Sequence, residues 1–175
     1  MSTGSGSIQP VFYMGVDSNG RCVAPRIKPG LPHPFGGHGL AVRIEEATQS
    51  FEDPAQVYAY GIRTVLETAT HDVRWKQLLN RSEVIADALF RRIGPFAIRD
   101  LRRAADAGRF KIPNAELVWR LTSHAIVGIS LAVKKGEVPL DSLDQVVVRL
   151  LCMTGLSVDG AIELSRRPRP SLRAE

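Results

Sequence analysis

Cysteine is nearly missing from this chain. Cys22 and Cys152 are the only two in 175 residues, far apart and in unlike surroundings, so no disulfide framework is expected. Cys152 sits in an apolar helical stretch and reads as a small core residue. Metal-ligand spacings are missing too, as are GxSxG, HExxH and CxxC. The glycines at 36, 37 and 39 lack both the Lys-Ser/Thr and the preceding strand of a phosphate loop. The sequence therefore nominates no catalytic residue, no metal site and no cofactor. No uninterrupted apolar run reaches the roughly 20 residues that a membrane span needs. The most apolar stretch, residues 114–134, is broken by Arg120, Thr122, Ser123 and His124. The opening MSTGSGSIQP has no basic start followed by an apolar run, so no signal peptide is read and a cytoplasmic, reducing setting is expected.

Charge of one sign is short in the body of the chain. The net charge is +5, but three basic residues against Asp17 lie in residues 1–39, and four arginines against Glu175 lie in residues 165–175. Residues 40–164 are neutral, and a basic groove on the folded body is not expected. Aromatics make up only 6%, and the abundance of Leu, Ala, Val and Arg favours helix.

Residues 1–39 carry eight glycines and five prolines, which exclude a helix of useful length. Residues 11–16 have strand character but nothing to pair with, and His33 and His38 find no second ligand cluster. The expected organisation is an irregular, disordered arm over 1–39, a helical domain over 40–167 and a basic tail over 168–175. Within the helical domain, residues 40–51 form a short amphipathic segment with Val42, Ile44, Ala47 and Phe51 as contacts. Asp53-Pro54 starts a helix to about Thr70, with Val57, Tyr58, Gly61, Val65 and Leu66 on one face. Residues 72–80 form a short element with Trp75, Leu78 and Leu79 as its buried side chains. Residues 82–92 read as helix, and residues 96–107 as another ending at a left-handed Gly108. Asn114 caps the helix over 114–134, and a last helix starts near Asp141, breaks at 155–157 and resumes to Leu164.

The helix over 114–134 is the feature around which the chain reads. Leu117, Val118, Leu121, Ala125, Ile126, Ile129 and Val133 share one face, yet Trp119, Val127, Leu131 and Ala132 lie elsewhere. Apolar residues nearly all round require cover on more than one side. Residues 142–162 share the property, so each helix is expected to cover the core with one side and a partner subunit with the other. His124, mid-helix among apolar neighbours, is expected to be buried or half-buried. Arg99, Arg102 and Arg103, interleaved with Asp100 and Asp106, read as a solvated face.

Four segments in order and at matching spacing give residues 40–172 a family likeness. They are Phe51-Glu52-Asp53-Pro54 with the following Ala-Gln-Val, and His71-Asp72-Val73-Arg74-Trp75 with Leu78-Leu79. Then come AADAGRF at 104–110 before Pro113-Asn114-Ala115, and residues 148–170 with Thr154-Gly155-Leu156 and Ala161. Together they resemble the C-terminal effector-binding and dimerisation domain of TetR-type (tetracycline-repressor-like) transcriptional regulators. The resemblance implies an all-α helical bundle, a homodimer and a small hydrophobic effector. The effector pocket is expected between the helices, with Trp75, Leu79, Phe90, Phe96, Leu101, Trp119, Thr122 and His124 as candidates for its lining. On the two apolar helices, Val127, Leu131, Val147, Leu151, Thr154 and Val158 are the expected dimer-interface residues. Such regulators begin with a helix-turn-helix that residues 1–39 do not supply, so DNA is a partner only where such a head is present, and no DNA-contacting residue is nominated. Two alternatives stand beside this reading: a small helical enzyme with His124 or His71 as base, and a ligand-free dimerisation module.

Overall fold

The structure, a computed structural model, describes residues 15–16, 22–23, 37–72 and 82–172. The chain divides into two compact units, residues 1–33 and 34–175. In the first, Gly15–Val16 (β1) pairs antiparallel with Cys22–Val23 (β2), so the two described residues of the strand expected at 11–16 do have a partner. The remainder of the expected arm, up to residue 36, lies outside the described residues.

The second unit is all helix among its described residues. Its helices are α1 (Gly37–Ala47), α2 (Pro54–His71), α3 (Ser82–Arg92), α4 (Gly94–Asp106), α5 (Ala115–Lys135), α6 (Leu143–Cys152) and α7 (Val158–Ser165). A 3-10 turn, Leu140–Ser142, precedes α6. α1 begins at Gly37, three residues before the texture change read from sequence, and it faces the core with Leu40, Ala41 and Ile44 while Val42 is exposed.

The helix boundaries follow local chemistry. The Ala55 amide donates to Asp53 Oδ1 at 3.0 Å, and Pro54 opens α2 where its missing N–H costs nothing. The Leu117 amide donates to Asn114 Oδ1 at 2.9 Å, capping α5, which ends at a left-handed Gly136 (φ 75°) with Lys134 and Lys135 in its last turn. Gly108 takes the left-handed conformation expected of it (φ 70°). The break between α6 and α7 is set by Gly155, whose φ is 82° and whose neighbour is the Lys111 backbone. The Lys111 amide donates to Thr154 O at 2.8 Å, and a Cβ on residue 155 would sit 2.9 Å from Lys111 O.

α2, not α5, is the centre of the bundle. It packs against α1, α4, α5, α6 and α7. Eleven of its eighteen residues are buried, against eight of twenty-one in α5, so α2 has the smaller free face. The sequence obscured this because the buried set of α2 includes Arg63, Thr64 and Thr70, whereas α5 owes part of its apolarity to Leu117 and Leu121 on its outside. Full burial of Tyr58, Ile62, Val65 and Leu66 contributes about 1.5–3 kcal/mol per side chain.

The core stripe of α5 is Ala115, Val118, Trp119, Thr122, Ser123, Ile126, Val127 and Ser130, at the spacing of one helical face. This redraws the expected faces: Trp119 and Val127 point inward, and Leu117 and Leu121 are about half exposed on the outer side. α5 is long and apolar enough to cross a membrane by length and composition. Here its inner stripe packs against α2, α3 and α4 in the manner of a core helix.

The segment after α7 folds back along α2. Tyr60 Oη donates to Pro170 O at 3.0 Å, Arg169 pairs with Glu67 at 3.0 Å, and Arg167 reaches Asp53 at 2.6 Å. Its arginines thus become part of the body's surface, which corrects the expectation of a body without a basic groove.

Candidate functional site

Where α1, α2, α4 and α5 meet, the core leaves a cavity of about 30 Å3. α2 contributes Tyr58, Gly61, Ile62 and Val65, α1 Ala41 and Ile44, α4 Phe96, Ala97 and Asp100, and α5 Trp119. The walls are apolar because each helix turns its core stripe here, and three of the lining residues, Trp119, Tyr58 and Asp100, also carry polar groups.

Trp119 is the largest of the fully buried side chains. Its indole N–H is buried and makes no hydrogen bond among the described residues. A buried donor left unmade costs about 1–3 kcal/mol. The close approach of α4 to this ring requires glycine: a Cβ on Gly94 would lie 2.9 Å from the indole nitrogen. Tyr58 is wholly buried, its hydroxyl 3.2 Å from Thr122 Oγ1 and its ring edge-to-face with Phe110. Burial pushes the Tyr58 hydroxyl far above its ordinary pKa, so it stays protonated. Burial also pushes the Asp100 carboxyl up, against the charge and hydrogen bond of Arg99 and the charge of Arg103. Arg99 donates to Asp100 Oδ1 at 3.0 Å and also pairs with Glu45, tying α4 to α1.

Two of the residues expected at the pocket, Phe96 and Trp119, line this cavity. Thr122 stands behind it on Tyr58, and Leu101 is fully buried in the adjoining core. Phe90 is half-buried under the Arg120 guanidinium, 3.8 Å from its centroid, and does not line the cavity. His124 is exposed, contrary to expectation, because it lies opposite the Ser123 and Ile126 side of α5, and its Nδ1 is 2.8 Å from Arg120 O. Trp75 and Leu79 lie outside the described residues. Sequence reading missed Asp100, which its arginine neighbours made look solvated, and it assigned Tyr58 to packing alone.

Of the expected interface residues, Val127, Val147, Leu151 and Thr154 are buried within the single chain, at 5% exposure or less. They already fill the core and have no surface to offer a partner. Leu131 is half-buried, and Val158 is exposed on α7.

A second, larger cleft of about 530 Å3 lies across α2, α6 and α7. Arg63 forms its floor, hydrogen-bonded to Asp144 and 3.6 Å from Glu67. Arg149, Arg166 and Arg169 stand around it, with Val148, Val158 and Ile162 as an apolar wall. The Arg63 hydrogen bond holds the Asp144 carboxyl below its ordinary range, helped by the charges of Arg169 and Arg166. Among the described residues, no group of three or more His, Cys, Asp or Glu side chains could hold a metal ion.

Comparison with known proteins places this architecture. The chain is similar in fold to crystal structures of RolR in complex with the ligand resorcinol and without ligand. For the complex the TM-score is 0.71 at 23% identity, over 80% of this chain and 70% of RolR. For the ligand-free form it is 0.71 at 22% identity, over 80% and 72%. A search of curated proteins finds no match. The family model described as the tetracyclin repressor-like C-terminal domain matches residues 53–167, from the cap of α2 to the end of α7. The chain therefore belongs to the family of tetracycline-repressor-like C-terminal regulatory domains.

Proposed function

We propose that the chain serves a transcriptional regulator as its sensing and dimerisation domain, taking a small, mostly apolar effector into the cavity between α1, α2, α4 and α5. The observation that carries this is a mostly apolar cavity lined by Trp119, whose indole N–H is buried and unpaired among the described residues, and by Asp100. An acceptor on the effector would satisfy the first group, and a hydroxyl would find an acceptor in the second. The cavity holds about one water, whereas a core cavity that takes up benzene measures roughly 150 Å3. Binding therefore requires α1 or α4 to move away from α2. Such a ligand favours the widened arrangement by its differential affinity, which is how occupancy becomes a signal. α1 is the helix through which a preceding DNA-reading head would sense that movement, so DNA is a partner only where such a head is present. Resorcinol, the ligand of RolR, is a single ring with two hydroxyls and fits this size class.

The dimer surface in this proposal is the outer side of α5, where Leu117 and Leu121 are exposed beside half-buried Ala125 and Ile129. Apolar side chains grouped on one face of a soluble domain favour a partner. Leu131 remains accessible to it from the expected set, whereas Val158 stands on α7 at the α2–α6–α7 cleft. The role in this proposal is non-enzymatic, since His71 and His124 are both exposed and set apart from the cavity.

A thermal-shift series with phenol, resorcinol and catechol tests the sensing role. At about one hundred times Kd, mass action stabilises the fold by roughly 2.7 kcal/mol, a rise in midpoint of several degrees. No rise with any one-ring compound would favour the ligand-free dimerisation module.

A further inference from the structure

The α2–α6–α7 cleft has a charge balance that its own residues do not complete. Four arginines line it against one carboxylate, Asp144. Arg63 and Arg169 are engaged by Asp144 and Glu67. Among the described residues, Arg149 and Arg166 have no carboxylate within ion-pair distance. Arg167, the neighbour of Arg166, turns the other way to Asp53 and Glu163. The clustering arises because the segment after α7 is strapped to α2 through Tyr60, Glu67 and Asp53, which brings Arg166 and Arg169 beside Arg149 of α6 and Arg63 of α2. The positive field is felt inside the cleft: the carboxyl already there, Asp144, is held in its charged form by Arg63, Arg169 and Arg166.

Beside the arginines the cleft is apolar. Val148 and Ile162 form its wall and Val158 is 45% exposed there. Its volume, about 530 Å3, is in the range of small-molecule sites, roughly 300–1,000 Å3. Guanidinium groups present several N–H donors in a planar fork that matches carboxylate and phosphate oxygens.

We propose that this cleft is a second binding site, separate from the interior cavity, for a small organic anion with a carboxylate or phosphate head and a short apolar body. The head lies between Arg149 and Arg166, and the body lies along Val148 and Ile162. The site is independent of the sensing role proposed above, since none of its residues lines the interior cavity.

The test titrates the full chain with phenyl phosphate, with benzoate and with neutral phenol, by calorimetry at low salt. Saturable binding of phenyl phosphate or benzoate is expected, weakened at least about tenfold in the Arg149→Ala/Arg166→Ala double variant. The thermal midpoint of that variant is expected to stay at the wild-type value, because both side chains are exposed. Binding of phenyl phosphate alone assigns the head to phosphate, and comparable binding of benzoate assigns it to either. Three results would overturn the proposal: no saturation by either anion below about 10 mM, unchanged affinity in the double variant, or displacement of the bound anion by phenol. Failure of the sensing role would appear separately, as a phenol series without a thermal shift while anion binding persists.

Discussion

The two sides of α2 hold their neighbours by different means. Toward α4 and α5 it presents Tyr58, Ile62 and Val65 to an apolar cavity of about 30 Å3 with a buried indole at its edge. Toward α6, α7 and the returning segment it presents Arg63, Glu67 and Tyr60 to ion pairs and to a cleft of about 530 Å3. One side leaves room for about one water and must widen to admit a ligand. The other is open, and its charged groups are already in place. The first arrangement suits a switch, because occupancy and geometry cannot change separately. The second suits binding with little rearrangement.

Substitutions should separate the two sides by size of effect. Trp119→Ala removes the largest fully buried side chain and should cost about 3–5 kcal/mol in chemical denaturation. A cost under about 1 kcal/mol would mean that the inner side is not packed as described. Next in size is Gly94→Ala, whose new methyl would lie 2.9 Å from the indole nitrogen in a well-packed region. It should cost about 1–3 kcal/mol and shift the tryptophan emission. Tyr58→Phe leaves Thr122 Oγ1 without its buried partner and should cost about 1 kcal/mol.

The outer side should show itself in acid rather than in packing. Burial alone would raise the Asp53 carboxyl, but hydrogen bonds from Arg109, the Ala55 amide and Arg167, with the charge of Arg109, hold it below its ordinary 3.8. A carboxyl lowered in the folded state stabilises the fold above its unfolded pKa, and that contribution is lost as pH falls through the lower folded value. Asp53→Asn should therefore lower the thermal midpoint at pH 7 and flatten its decline below about pH 4. Equal acid limbs in the two proteins would remove Asp53 from the account. Asp144→Asn should act in the same direction with a smaller effect, since its carboxyl is more exposed.

Much of the helical order was legible because it rests on local signals. Asp53-Pro54, Asn114, Gly108 and the interruption near Gly155 each act within a few residues, and each stands at the boundary read from it. Helix faces were less legible. Leu117 and Trp119 are both apolar and two positions apart, and only packing decides that one is exposed and the other buried. The hub role of α2 was hidden for a related reason: its Arg63 is buried only because Asp144 and Glu67 accompany it, and Asp144 is 81 positions away. At the site, Phe96 and Trp119 were readable as large apolar groups, whereas Asp100 reads as a surface acid until Phe96, Ala97 and Trp119 are placed around it. The arginine cleft was hardest to see, because net charge along the sequence says nothing about where a returning segment lands.

The central claim is that occupancy of the narrow cavity requires α1 or α4 to move from α2. Hydrogen exchange of the full chain tests it most directly, with and without the one-ring compound that gives the largest thermal shift. The account predicts changed amide protection in α1 and α4, with α6 and α7 unchanged. Protection altered only in α6 and α7, with α1 and α4 as in the free protein, would contradict it.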